Sequence, residues 1–340
     1  MQYAVDQAVN RAESALMYLA PEDDELAIAD AAADFLADAM PIERLHGAAG
    51  PDLSPETRVT IGEMGWFALA LSEERGGSGL TAVEHALFFR EVGRQCGPVD
   101  MLAQALATHA CKADDDLRAA IVAGEVGVGL LVADNGRYRL FGTGDATYAL
   151  LASPAGASLH ALDDAAIEER PSLDPANSLR LLSGLPEAVC ELDGGSVWAL
   201  GQMGVSAMLV GLAEAALDLI VEYAKVRETF GRAIGSYQAV RHTCADMAVR
   251  LEAARAQLWF AAAAHKEGRA DAQHHIDAAK HLANETAMLC VDQNIQLHGG
   301  IGVTDEHDAH LLLKHAMLLT RLFGSKRALL GNLLHAEMAD

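Results

Sequence analysis

Arg227-Glu-Thr-Phe-Gly231, with Tyr237-Gln238 a few residues on, is the first segment whose residue types could do chemistry. An arginine, a hydroxyl and turn N–H groups can hold a diphosphate by charge-assisted hydrogen bonds. Gly231 lets backbone approach such a ligand closely. The plainer reading is a helix-loop-helix corner carrying a solvated arginine. The second candidate is Gln296-Leu-His-Gly-Gly-Ile-Gly302, with glycines at 299, 300 and 302. Such a run bares backbone amides, as a phosphate loop does and as an ordinary helix C-cap does. Spacing alone leaves both readings of each segment open.

The elements that must position these segments fall into three zones. Residues 1–124 are helical in texture, rich in Ala, Leu and Glu, with turn signals at Pro41, Gly50-Pro51 and Gly76-Gly77. Ser54 is placed to cap a helix that has Pro55 at its first position. Residues 125–195 change to strand texture. Asn135-Gly136 between apolar runs predicts a hairpin, and TYALLAS and ASLHAL predict further strands ahead of Pro171, Pro175 and Pro186. Residues 196–340 return to long helices, expected around 200–226, through 240–258, over about 270–297 and around 308–337. The expected fold is therefore α+β but mostly α: an N-terminal helical domain (1–124), a small, shortened β domain (125–195) and a C-terminal four-helix bundle (196–340). The longest uncharged apolar stretch, Val197–Ala213, is interrupted by Gln202, Ser206 and glycines, which predicts a buried helix rather than a membrane span.

Taken together, RETFGRAIGSYQAVRHTCADMAVRLEAARA and IQLHGGIGVTDEHDAHLLLKHA resemble the C-terminal bundle of the acyl-CoA dehydrogenase family. Met64-Gly-Trp66, SEERGGSGL at 72–80 and Glu91-Val-Gly-Arg94 resemble its N-terminal pattern, and Asp174-Pro through Arg180 the end of its β domain. The likeness runs over nearly the whole chain in the same three-zone order. It implies flavin chemistry on an acyl-CoA thioester. A glutamate removes the α-proton, a β-hydride passes to FAD, and an electron-transferring flavoprotein reoxidises the flavin. It also implies FAD sites shared between subunits. Arg227, Thr229 and Phe230 would then face the diphosphate and adenosine part of a neighbour's FAD. Gln238, Gln296, Gly299 and Gly300 match other contacts on that side.

The departures are as informative as the match. One branch of the family carries its base 24 residues after the first glycine of the Gly-Gly pair, which here is Phe323. The other carries it 26 residues before the arginine of the R-x-T-F-G motif, which here is Gly201. Neither can accept a proton, so no catalytic residue is assigned. The β-domain segments that cradle the flavin ring, TEPxAGSD and WITN, are also missing; Ser153-Pro-Ala-Gly-Ala157 is a faint echo. Some family members form α2β2 heterotetramers in which one subunit type lacks the glutamate, associated with CoA esters of sterol side chains. The resemblance thus implies a glutamate-lacking subunit that completes a partner's FAD site. Two alternatives are a flavin-free scaffold of the same fold and a self-sufficient homotetramer with a relocated base.

Composition sets the bounds. The chain has 340 residues and a net charge of −23, which disfavours nucleic acid and anionic membranes as partners. The charge is uneven: residues 1–124 hold 8 basic and 21 acidic side chains, 125–195 hold 4 and 11, and 196–340 hold 13 and 16. Cys96, Cys111, Cys190, Cys244 and Cys290 form no paired motif, which points to a reducing, cytoplasmic home. The N-terminal MQYAVDQAVNRAE has no signal-peptide pattern. Glu214 reads as an interhelical or interface carboxylate, Glu306 as exposed, and Asp114-Asp-Asp116 as a solvated loop. His274, Asp277, His281 and Glu285 share a helical face, and His307, His310 and His315 cluster, but no metal is assigned to either set.

Overall fold

The computed structural model describes residues 21–47, 53–110, 115–163, 165–192 and 194–335. Cys111, Asp114 and the N-terminal segment read for a signal peptide lie outside the described residues.

Local capping chemistry starts the N-terminal helices. Glu22 and Glu25 form a capping box on α1 (Asp23–Ala39), and Thr81 and Glu84 form another on α3 (Ala82–Arg94). Between them, Ser54 accepts from Thr57 N at 3.1 Å and Pro55 opens α2 (Pro55–Glu63), as the sequence predicts. Two further helices, α4 (Asp100–Ala110) and α5 (Asp115–Val122), complete the zone. Asp115 and Asp116 thus open a helix instead of lying in a loop.

Seven strands form one sheet: β1 (Val128–Asp134), β2 (Arg137–Phe141), β3 (Tyr148–Ser153), β4 (Gly156–Ala161), β5 (Ile167–Arg170), β6 (Leu179–Leu182) and β7 (Ala188–Leu192). Their order is β5-β6-β2-β1-β3-β4-β7, antiparallel throughout except for the parallel β1–β3 pair. Asn135 (φ 48°) and Gly136 (φ 84°) make the tight β1–β2 turn. Leu130 and Leu150 face the main core, while Leu131, Leu140 and Ala149 form a small cluster on the sheet's other face.

The apolar stretch becomes α6 (Gly195–Val226), the central helix. It is long and apolar enough to cross a membrane, yet 72% of its most apolar window is buried within the fold. Its glycines serve close packing. A Cβ on Gly211 would lie 1.9 Å from the Arg90 carbonyl oxygen, and one on Gly93 would lie 2.0 Å from that of Met208. Thus α3 and α6 each present a glycine to the other's backbone. Beside this seam Glu214, 4% exposed, accepts from Arg90 Nε (3.0 Å), Arg94 Nη1 (3.2 Å) and Arg255 Nη2 (2.7 Å). It is the interhelical carboxylate the sequence predicts.

A two-strand ribbon, β8 (Glu228–Thr229) and β9 (Arg232–Ala233), leads to α7 (Gln238–Lys266) and α8 (Ala272–His298). The single helix expected around 308–337 is two, α9 (Ala309–Leu319) and α10 (Lys326–His335). The break follows from Phe323 (φ 51°) and Gly324 (φ 118°), whose left-handed backbone cannot continue a helix.

Candidate functional site

The two motif segments meet at one end of the bundle. Tyr223, one turn before Arg227, lies with its ring 4.4 Å from that of His298, which directly precedes Gly299. Arg227 ends α6 as its C-cap, and Ile234 N donates to its carbonyl at 2.8 Å, closing the ribbon. Phe230 (φ 50°) and Gly231 (φ 76°) form the ribbon's tip, and Phe230 is 98% exposed. Tyr237 Oη donates to the Thr229 carbonyl at 2.9 Å, and the Arg232 guanidinium lies 4.0 Å from the Tyr237 ring centroid. The Arg232 guanidinium holds the phenol of Tyr237 below its ordinary value.

The predicted ligand contacts are open. Among the described residues, the side chains of Arg227, Gln238 and Gln296 are exposed and make no hydrogen bond or ion pair. Gly299 (φ 68°) and Gly300 are exposed, and a Cβ on either would meet nothing within 4 Å. Val226, Ile301 and Val303 add exposed apolar side chains at the same end. Free cationic, amide and backbone donors beside uncovered apolar groups form half of a binding surface. The group that FAD would present here, a diphosphate joined to an adenosine, fits this donor set.

The opposite end of α6 is closed. A Cβ on Gly201 would lie 2.1 Å from Phe323 Cε1, so the two positions at which a base is expected touch one another. Phe323 is 7% exposed, and its ring packs at 5.3 Å from that of Trp198. Gly201 carries no side chain because the phenyl ring fills its place. Behind the contact, Gln202 Nε2 donates to Asp277 Oδ1 (2.8 Å), and Asn332 Nδ2 donates to Asp277 Oδ2 (3.0 Å). Asp277 is therefore a helix-packing group, and Glu285 of the same face pairs with Lys326 at 3.0 Å. Of the other histidine set, His315 Nδ1 bonds Asp174 Oδ2 at 2.8 Å within the core, and Glu306 is exposed.

Beside Phe323 lies a cavity of about 620 Å³ between the sheet and the bundle, lined by Leu130, Ala152, Ala157, Glu191, Trp198 and Arg321 among others. Sequence reasoning missed Trp198, Glu191 and Arg321. Each comes from a different element, and no spacing rule joins them.

Two sequence profiles match the chain: the acyl-CoA dehydrogenase N-terminal domain over residues 22–113 and its C-terminal domain over 198–337. Acyl-CoA dehydrogenase IpdE2 of Mycobacterium tuberculosis (strain H37Rv) is 34% identical over 281 residues, covering 81% of this chain and 84% of that protein. The chain belongs to the acyl-CoA dehydrogenase family. Its members are FAD-dependent oxidoreductases. In fold it is also similar to a variant of the Tcur3481-Tcur3483 steroid ACAD (TM-score 0.77, 24% identity, 92% of this chain and 96% of that one). The ChsE4-ChsE5 complex from Mycobacterium tuberculosis gives a TM-score of 0.78 at 21% identity, over 95% of this chain and 100% of that one. In this chain Arg227, Gln238, Gln296, Gly299 and Gly300 are exposed, while the Phe323 ring fills the side-chain space of Gly201.

Proposed function

We propose that this chain is the glutamate-lacking subunit of a hetero-oligomeric acyl-CoA dehydrogenase. It supplies the nucleotide side of an FAD site whose ring and proton-abstracting base belong to a second acyl-CoA dehydrogenase subunit. The Gly201–Phe323 contact carries this reading, because neither expected position holds a carboxylate and the Phe323 ring leaves no room for a side chain at 201.

When bound, FAD accepts the β-hydride of the acyl-CoA thioester. This chain's part is to bind and orient. Arg227 supplies a charge-assisted bond to the diphosphate, and Gly299 and Gly300 offer backbone amides. Gln238 and Gln296 offer side-chain amides, while Thr229 and Phe230 border the adenosine part. The exposed Val226, Phe230, Ile301 and Val303 are covered by the partner. An α2β2 assembly, a cytoplasmic home and reoxidation by an electron-transferring flavoprotein belong to the same reading. A bulky or sterol-side-chain CoA ester is the substrate class it favours, in keeping with the steroid ACAD similarity.

Co-expression with an acyl-CoA dehydrogenase encoded beside it tests the proposal. The mixed complex should hold about one FAD per two protomers, and the lone chain none. Arg227→Ala should weaken FAD retention by the complex about tenfold, the loss of one charge-assisted contact. A lone chain that retains a full complement of FAD and oxidises acyl-CoA overturns the reading.

A further inference from the structure

A second cavity, of about 380 Å³, opens where the N-terminal zone meets the bundle. Its ionisable lining is Arg75, His109, His265 and Lys266, with no Asp or Glu among the lining residues described. That is unusual in a chain with 48 acidic side chains and 25 basic ones. Four helices bring the groups together. The last turns of α4 and α7 carry His109 and His265, while the first turns of α3 and α6 contribute Ala82 and Ser196. The 32-residue α6 has no side-chain cap at its N-terminus, so its first N–H groups add positive potential.

We propose that this cavity is an oxyanion site, taking the phosphate or carboxylate group of a small ligand. Its volume lies at the low end for ligand pockets and excludes a dinucleotide. Among the described residues the rings of His109 and His265 make no hydrogen bond or ion pair, so their nitrogens are available to a ligand. Arg75 lies close by, donating to the Thr108 and His109 carbonyls at 3.3 and 3.4 Å.

The surrounding charges give the site a pH signature. Burial, then Arg75 and His265, hold His109 down to about 4. Burial lowers His265 as well. Behind them burial, with His109 and His265, holds His85 down to about 3. The nearby carboxylates are already engaged: Glu25 pairs with Lys266 at 3.1 Å, and Glu84 caps Thr81. A bound anion relieves the repulsion among the cationic forms and raises both facing imidazoles, so binding takes up protons and tightens as pH falls.

The test is calorimetric titration of the full chain, or its co-purified complex, with sulfate between about pH 8 and pH 5, where histidines titrate. Saturable binding should tighten at least about tenfold over that range, one pKa unit's equivalent. The measured heat should vary with the buffer's ionisation enthalpy. His109→Gln and His265→Gln should each weaken sulfate about tenfold and flatten the pH dependence. If His109→Gln unfolds, His265→Gln at the helix end carries the comparison. The titrations are repeated in Arg227→Ala, which removes sulfate held at the proposed flavin surface; the pH-dependent component should remain and report this cavity alone. Methyl phosphate binding tighter than glutarate assigns a phosphate ligand, and the reverse assigns a carboxylate. Non-saturating or pH-independent binding, unchanged affinity in both variants, or sulfate alone binding as an adventitious ion overturns the proposal.

Discussion

The two ends of α6 use glycine for opposite purposes. At the open end Gly299 and Gly300 have empty space around them, and the backbone itself is the presented surface. At the closed end Gly201 is bare because Phe323 occupies its side-chain volume. The open end presents donors without partners among the described residues, whereas at the closed end Gln202 and Asn332 already donate to Asp277. A surface meant for another chain or a ligand keeps its hydrogen-bonding capacity unspent, whereas an interior uses its space for packing.

Four changes would break or sharpen this contrast. Glu214→Ala should have the largest effect, because it leaves Arg90, Arg94 and Arg255 facing one another without their shared carboxylate. A loss of about 3–5 kcal/mol in urea unfolding is expected. A loss below about 1 kcal/mol would show that the seam between α3, α6 and α7 does not depend on this network.

Gly201→Glu should cost roughly 2–4 kcal/mol, since its Cβ meets the Phe323 ring and its carboxylate is buried. Pairing it with Phe323→Gly should recover at least about 1 kcal/mol relative to the sum of the single changes. Additive effects in the double-mutant cycle would mean that the two positions do not share one space.

Gly299→Ala should be milder, about 1–2 kcal/mol, and purely conformational. The position has φ 68° but no neighbour to collide with. A chemically neutral outcome in denaturant unfolding would show that the glycine loop relaxes freely.

The smallest effect concerns the tie between the N-terminal zone and the loop beyond Gly302. His46 Nε2 bonds Asp308 Oδ1 at 2.6 Å, and this bond, opposed by slight burial, raises the imidazole above its ordinary 6.5. Its stabilisation is complete below 6.5 and fades as pH rises through the higher folded value. Asp308→Asn should therefore lower the thermal midpoint slightly in acid and have no effect in mild alkali. An equal difference at both pH values would exclude this pair as the cause.

Much of this was legible in the sequence because it is local. Ser54-Pro55 and Asn135-Gly136 fix a cap and a turn through a few neighbouring atoms, and the structure shows both. Strands β5 to β7 were not resolved individually, because the prolines between them hide short runs whose pairing depends on β2 and β4. The break between α9 and α10 was also hidden. Leu318, Leu319, Leu322 and Phe323 continue an apolar pattern, and only tertiary packing draws Phe323 into the left-handed region. At the site, the sequence showed that carboxylates were missing at 201 and 323 but not that the two positions touch. No sequence spacing joins His109 and His265, which only the fold sets on one cavity.

The length of α6 has a further consequence. Gly201 and Arg227 sit on one unbroken helix, and at 1.5 Å per residue they stand about 39 Å apart. The helix therefore acts as a ruler. On the proposed assembly it fixes the spacing between the blocked centre within this chain and the active centre it completes next door. A rod held by reciprocal glycine contacts with α3 resists bending. A strain applied near Gly201 would reach the loops beyond Arg227 as a shift along the rod.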